Sequence, residues 1–420
     1  MNHTPRTRTV VGCTLLATAL GASLTACGSD GNPLADKPYD AAGLISFSGP
    51  TGEGKRADPD KPLEVTATSD DDRITDVTVQ DAAGRYVAGE LAADGSRWHS
   101  TSPLAANAHY TVTVSTEDEG GAPGRKVVTV DTSRPAAQKR LNVKLGPDAG
   151  EYGVGQPVTA ELDQEIKDKA QRAVIERALR VDSTPAVPGS WYWVSGKELH
   201  YRPQEYWPVH TTVSVHSNLD GIKIGDRLWG GASKPLKFTI GDRVEAVTDA
   251  ASHQMTVYRN GKVINQIPIT TGRPGWETRN GVKVVLEKQY FVRMRGTTVG
   301  IAAGTSDSYD LPVYYATRVT WSGEYVHAAP WSVGSQGYAN VSHGCTGMST
   351  SNAQWFFNTV REGDIVRVVN SGGRQMEPFG NGFGDWNVDW KKWATGSALT
   401  KGTTNGQAPG QVVRLQPTAL

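Results

Sequence analysis

Ser342-His343-Gly344-Cys345-Thr346-Gly347-Met348-Ser349 sets a cysteine two residues after a histidine, in a chain of 420 residues with three cysteines. The other two, Cys13 and Cys27, lie in the first 27 residues. That segment carries Arg6 and Arg8, an apolar run from Val10 to Leu24, and Leu24-Thr25-Ala26-Cys27 before Gly28. A basic start, a short apolar stretch and small residues at its end read as a secretory signal. The run is too short and too rich in Ala, Gly and Thr to make a good transmembrane helix.

Leu24-Thr25-Ala26-Cys27-Gly28 resembles a bacterial lipobox. The resemblance implies a signal peptide over residues 1–27, acylation of Cys27 as the first residue of the mature chain, and an exported protein held to the cell membrane by lipid. Cys13 is then discarded, and Cys345 remains as the free thiol of a chain that cannot form an internal disulfide. A lone thiol in an oxidising compartment is a liability unless it is buried or has work to do.

A thiol acts as a nucleophile in its thiolate form and needs a base or a positive neighbour. Two histidines are candidates. His343 is two positions from Cys345, and in an extended stretch residues i and i+2 share a face. His327, in Tyr325-Val326-His327-Ala328-Ala329-Pro330-Trp331, reaches the cysteine only if the two segments are neighbours in the fold. Gly344 and Gly347 permit close backbone approach and leave amides for an oxyanion hole. The spacing also fits a buried structural cysteine or a His/His/Cys metal site.

Composition excludes some classes. Lys+Arg and Asp+Glu each number 43, a formal net charge of zero, so no basic surface is expected for nucleic acid. Residues 28–45 are polar and contain Gly, Pro and Asp, and read as a tether. Short alternating strands such as Ile74-Thr75-Asp76-Val77-Thr78-Val79 and Tyr110-Thr111-Val112-Thr113-Val114 predict a β-sandwich over residues 46–137. A second β-rich module, residues 138–242, carries one helix, with apolar residues spaced helically from Ile166 to Leu179. A third block, residues 243–370, contains Arg259-Asn260-Gly261-Lys262 between alternating runs, a strong hairpin signal. Ser351 with Gln354 predicts a capped helix through about Arg361. In residues 371–420, the Gly- and Trp-rich piece from Gly380 to Trp393 is expected to pack back on the third block, because exposed tryptophans are costly, and to end in a loose tail.

His327 followed by Ser342-His343-Gly344-Cys345 resembles the motif of L,D-transpeptidase catalytic domains of the YkuD type. Thr271-Gly272-Arg273-Pro274-Gly275-Trp276-Glu277-Thr278, His327 to Gly334 and Ser351 to Phe356 are similar to the actinobacterial, mycobacterial-type enzymes. So is the module order: lipobox, two immunoglobulin-like sandwiches, catalytic domain, Trp-rich end. The resemblance implies a mainly β fold and a cofactor-free cysteine acyltransferase that cross-links peptidoglycan stem peptides 3→3. Cys345 would be the nucleophile, His327 the general base, and the Ala328 carbonyl its orienting partner. His343 would support them, and the Gly344 and Cys345 amides would donate to the oxyanion. Residues 285–322 map onto the active-site flap, with Tyr309, Met294, Ser322, Gly323 and Trp331 against substrate. At Gly347 the close relatives carry an asparagine that contacts substrate. Carbapenems are implied as covalent inhibitors. The alternatives are an L,D-carboxypeptidase or attachment of another amine to the wall.

Overall fold

The computed structural model describes residues 38–52, 54–82, 84–134 and 139–399. Cys27, the signal, most of the tether and residues 400–420 lie outside the described residues.

Between Tyr39 and Thr132 a five-stranded and a four-stranded sheet share one core, built on Val65, Ile74, Trp98, Val112, Val114 and Val130. The strand His109–Glu117 buries Tyr110, Val112, Val114 and Thr116 and turns the residues between them outward, the two-residue period of a strand with one face in a core. Two four-stranded sheets follow between Val143 and Ile240, packed around Trp191, Val213 and Phe238. The helix Lys169–Ala178 belongs to this part, and the Asp168 carboxylate accepts from the Gln171 N–H at its start (2.8 Å).

The third part pairs a five-stranded sheet with a four-stranded one. The first runs, edge to edge, Lys262–Pro268, Gln254–Arg259, Val244–Asp249, Ile365–Val369 and Gly281–Val284. The second runs Glu287–Arg295, Asp310–Arg318, Tyr325–Ala328 and Thr346–Met348. Val257, Ile267, Val326, Met348, Phe356 and Val366 share the core of this part with the helix Thr350–Thr359. Asn260 (φ 48°) and Gly261 (φ 79°) form the two-residue hairpin turn, both in the left-handed region such a turn requires. The helix cap differs from expectation. Ser349, not Ser351, accepts the Asn352 N–H (3.2 Å). The helix starts two residues early because Ser349 is the first residue after the strand Thr346–Met348 whose hydroxyl can turn onto the helix.

The C-terminal piece also differs from expectation, because much of its packing is against the second module. Trp393 is wholly buried and donates to the Ser190 carbonyl (2.9 Å), and Trp386 donates to that of Gly155 (2.8 Å). Asn387 reaches the other way, to the backbone of Val282. Two buried charges of the second module explain the attraction. The Arg202 guanidinium lies 4.7, 5.5 and 4.4 Å from the rings of Trp386, Trp390 and Trp393. His200 is held between Asp385 (2.7 Å) and Glu198 (2.9 Å).

Burial by itself would lower the His200 pKa, but the two carboxylates outweigh it and lift the group to about 10. The unfolded value is about 6.5. The stabilisation is therefore complete below about pH 6.5 and fades as pH rises through the folded value. Asp385→Asn is expected to cost about 3–5 kcal/mol near pH 6.5, because it leaves half of a buried pair. It should also flatten the fall in unfolding temperature toward pH 10. Unchanged stability and an unchanged pH slope in the variant would contradict this role.

Candidate active site

Cys345 sits at the end of a bend, immediately before the strand Thr346–Met348. That strand runs parallel to Tyr325–Ala328, with His327 opposite Gly347. Alternation then gives one face to Tyr325, His327, Gly347 and Cys345. Cys345 is half-buried and packs, with Met294, against Val313, Ala316 and Tyr325. Its sulfur donates to the Gly323 carbonyl (3.4 Å) and receives the Tyr325 N–H. Gly323 has φ +100°, a conformation that aims this carbonyl at little steric cost.

His327 is buried, and its Nδ1 lies 2.8 Å from the Ala328 carbonyl. A carbonyl only accepts, so Nδ1 carries the proton and Nε2 keeps a free lone pair. Burial holds the His327 pKa below its usual value, against the pull of the Ala328 carbonyl. Burial also pushes the Cys345 thiol up to about 11. At neutral pH these two groups therefore rest as thiol and neutral imidazole.

The other expected site residues fall into two groups. Met294 touches the cysteine cluster, the Trp331 ring lies 6.0 Å from that of His327 with half its surface open, and the Tyr309 ring lies tilted against His343 (5.1 Å). Ser322 is exposed, and its N–H and hydroxyl are bonded to Asn381 and Thr320.

Two expectations change. His343 does not share an extended face with Cys345, because Gly344 (φ +115°) bends the chain between them. The His343 ring lies against Trp276 (5.3 Å) instead, with Nε2 3.0 Å from Arg273 Nη2. The Gly344 amide is not a free oxyanion donor, because it donates to Ser342 Oγ (3.1 Å). The Cys345 amide has no such partner among the described residues.

Gly347 has a packing reason. A Cβ there would stand 2.9 Å from that of Ala329 and 3.1 Å from Thr270 Cγ2. Thr270 also exchanges both backbone hydrogen bonds with Gly347 (2.9 Å each). An asparagine at this position would require Ala329 or Thr270 to shift.

A buried ionic group under the site was not anticipated. Lys283 is 1% exposed and pairs with Glu324 (2.6 Å), which also accepts from the backbone and side chain of Arg279 (3.1 Å each). Glu324 is flanked by Gly323 and Tyr325, which hold the sulfur. The available signal was one lysine inside Val282-Lys283-Val284-Val285 and one glutamate before Tyr325-Val326, opposite charges in apolar runs. Burial lowers the Lys283 pKa, and Glu324 opposes that shift. Glu324→Gln is expected to cost about 3–5 kcal/mol, because it strands a buried ammonium. Lys283→Met with Glu324→Leu should recover most of that loss. Denaturant unfolding of the three proteins measures both; a single variant as stable as the parent would contradict the pairing.

A thiol at the head of one strand and a neutral imidazole on the neighbouring strand fit cysteine-dependent acyl transferases, which carry the acyl group as a thioester. Comparison with known proteins narrows the class. Residues 243–368 match the L,D-transpeptidase catalytic domain and residues 54–223 a bacterial Ig domain. L,D-transpeptidase 2 of Mycobacterium tuberculosis is 37% identical over 392 residues, 91% of this chain and 94% of that protein. L,D-transpeptidase 5 of the same species is 32% identical over 411 residues, 95% and 88% of the two chains. The crystal structure of Mycobacterium tuberculosis L,D-transpeptidase 3 with a faropenem-derived adduct is 33% identical, covers 54% of this chain and 97% of its own, and superposes with a TM-score of 0.46. The chain belongs to the L,D-transpeptidase family.

Proposed function

We propose that this L,D-transpeptidase forms 3→3 cross-links between peptidoglycan stem peptides. Cys345 attacks the carbonyl at the L-centre of the third residue of a tetrapeptide stem. The amide bond to the terminal D-Ala breaks as a thioester forms, and the thiol proton travels through His327 Nε2 to the leaving amine. The side-chain amine of a second stem's diaminoacid then attacks the thioester. It gives its proton to His327, which returns it to the departing sulfur. The Cys345 amide supplies a donor to the oxyanion, and Met294, Tyr309, Trp331 and the Ser322-Gly323 turn border the donor stem.

The observation that carries this reading is the free Nε2 lone pair of His327, on the strand beside the thiol and on its face. The same thiol makes a carbapenem, whose strained amide opens on acylation, a covalent inhibitor. Lipid on Cys27 would anchor the protein at the outer face of the cell membrane, toward the wall. The two sandwiches, each roughly 25–30 Å across, would act as spacers.

The test is incubation of the purified protein with a tetrapeptide stem, followed by mass spectrometry. The expected products are D-Ala and a dimer joined between two diaminoacids. Tripeptide and D-Ala without dimer would make the protein a carboxypeptidase, and no release of D-Ala would exclude both.

A further inference from the structure

His343 draws attention to a cation that the reaction as described does not use. The Arg273 N–H donates to the Ser342 carbonyl (3.0 Å), and Gly272 bridges to Ser342, so the arginine is fixed one residue from His343. Its Nη2 lies 3.0 Å from His343 Nε2 and is paired with Asp307 Oδ1. Asp307 belongs to the flap, two residues before Tyr309, in the loop joining Glu287–Arg295 to Asp310–Arg318. His343 Nε2 is 3.9 Å from the same carboxylate oxygen. Trp276 and Tyr309 pack on the imidazole (5.3 and 5.1 Å). The result is a guanidinium held at its backbone and through His343, two residues from the nucleophile, with a flap carboxylate seated on it.

The side chains of Arg273 and Asp307 are 33% and 35% exposed. An ion pair that open to solvent contributes little net stability, so another carboxylate can replace Asp307 at small cost. Arginine is suited to the exchange, because its planar fork accepts a carboxylate through two parallel N–H bonds. The donor stem brings two such groups near the reacting carbonyl: the terminal D-Ala carboxylate and the free carboxylate of the diaminoacid. The buried Lys283 is no competitor, being committed to Glu324.

We propose that Arg273 is a carboxylate subsite for the stem peptide, and that Asp307 is an internal stand-in that leaves with the flap when substrate enters. The inference rests on the stem-peptide reading above. It gives the flap a chemical role, since closing it without substrate restores the Arg273–Asp307 pair and keeps the guanidinium satisfied. His343 becomes a positioning residue, because its Nε2 accepts from Arg273 and holds the fork in place.

The test compares three synthetic tetrapeptide donors on the purified protein: the free acid, one amidated at the terminal D-Ala, and one amidated at the diaminoacid. In the parent, one amide should lower kcat/KM for D-Ala release by about 10–100-fold, the usual cost of losing a charged hydrogen-bonding partner. Which amide does so identifies the carboxylate. Arg273→Gln should lose the same factor on the free acid and no longer distinguish the donors, and Arg273→Lys should keep part of the preference. Asp307→Asn should lower KM for the free acid and keep the preference. If the parent releases D-Ala from all three donors at one rate, or if Arg273→Gln slows all three equally, the subsite is wrong while the function stands. If the parent releases D-Ala from none, the stem-peptide reading fails and the subsite falls with it.

Discussion

Cys345→Ser is expected to lower acyl transfer by at least about 10³-fold while leaving the fold intact. The exchange removes one polarisable atom from a half-buried site, so the loss in stability should stay within about 1–2 kcal/mol. The chemical loss is larger. Burial has already pushed the thiol up to about 11, and a hydroxyl is harder still to deprotonate. His327 is a weak base, since burial holds its pKa down. In the proposed mechanism His327 takes the proton from sulfur during attack, whereas a serine would require a stronger base. D-Ala release and thermal unfolding, measured on the same preparation, check both halves. A serine variant with a tenth of the parent's activity would show that the attack does not depend on sulfur.

His327→Gln is expected to lower kcat by about 10²–10⁴-fold, the range for loss of a positioned general base. The pH profile separates this from a packing effect. In the parent, the rate should fall on acidification as Nε2 takes a proton, at a pH below the ordinary histidine value of about 6.5. The variant should lose that acid limb. Its residual rate should rise about tenfold per pH unit toward about 11, following the thiolate. Retention of the acid limb would assign it to another group, with His343 the first candidate.

The parts of this protein that the sequence revealed are those governed by local rules. Alternation marked strands such as those around Ile74–Val79 and Tyr110–Val114 and the two runs flanking Asn260-Gly261, and that dipeptide placed the hairpin, because a two-residue turn admits few residue types. Gly281–Val284, Glu287–Arg295 and Asp310–Arg318 carried no such reading. Cysteine counting isolated Cys345 before any fold was in hand. Contacts distant in sequence were less accessible. Tyr325–Ala328 and Thr346–Met348 are parallel neighbours, and no local spacing says so; the motif resemblance supplied that link. His343 misled because the i, i+2 rule assumes an extended chain, which Gly344 interrupts. Ser351 misled because Ser349, two residues earlier, is an equally good N-cap residue without a capping-box partner. The docking of the Trp-rich piece on the second module depends on Arg202 and His200, charged residues usually left at the surface in a sequence reading. Their burial shows only once Asp385 and the three indoles are beside them. Lys283 and Glu324 were hidden in the same way, 41 positions apart.

The central claim is that Cys345 is the acyl-accepting group. Its most direct test is the intact mass of the purified protein after exposure to a carbapenem. One adduct per chain, carried by the peptide containing Cys345 and absent from Cys345→Ala, is the predicted result. An unmodified parent, or an adduct that survives in Cys345→Ala, would contradict it.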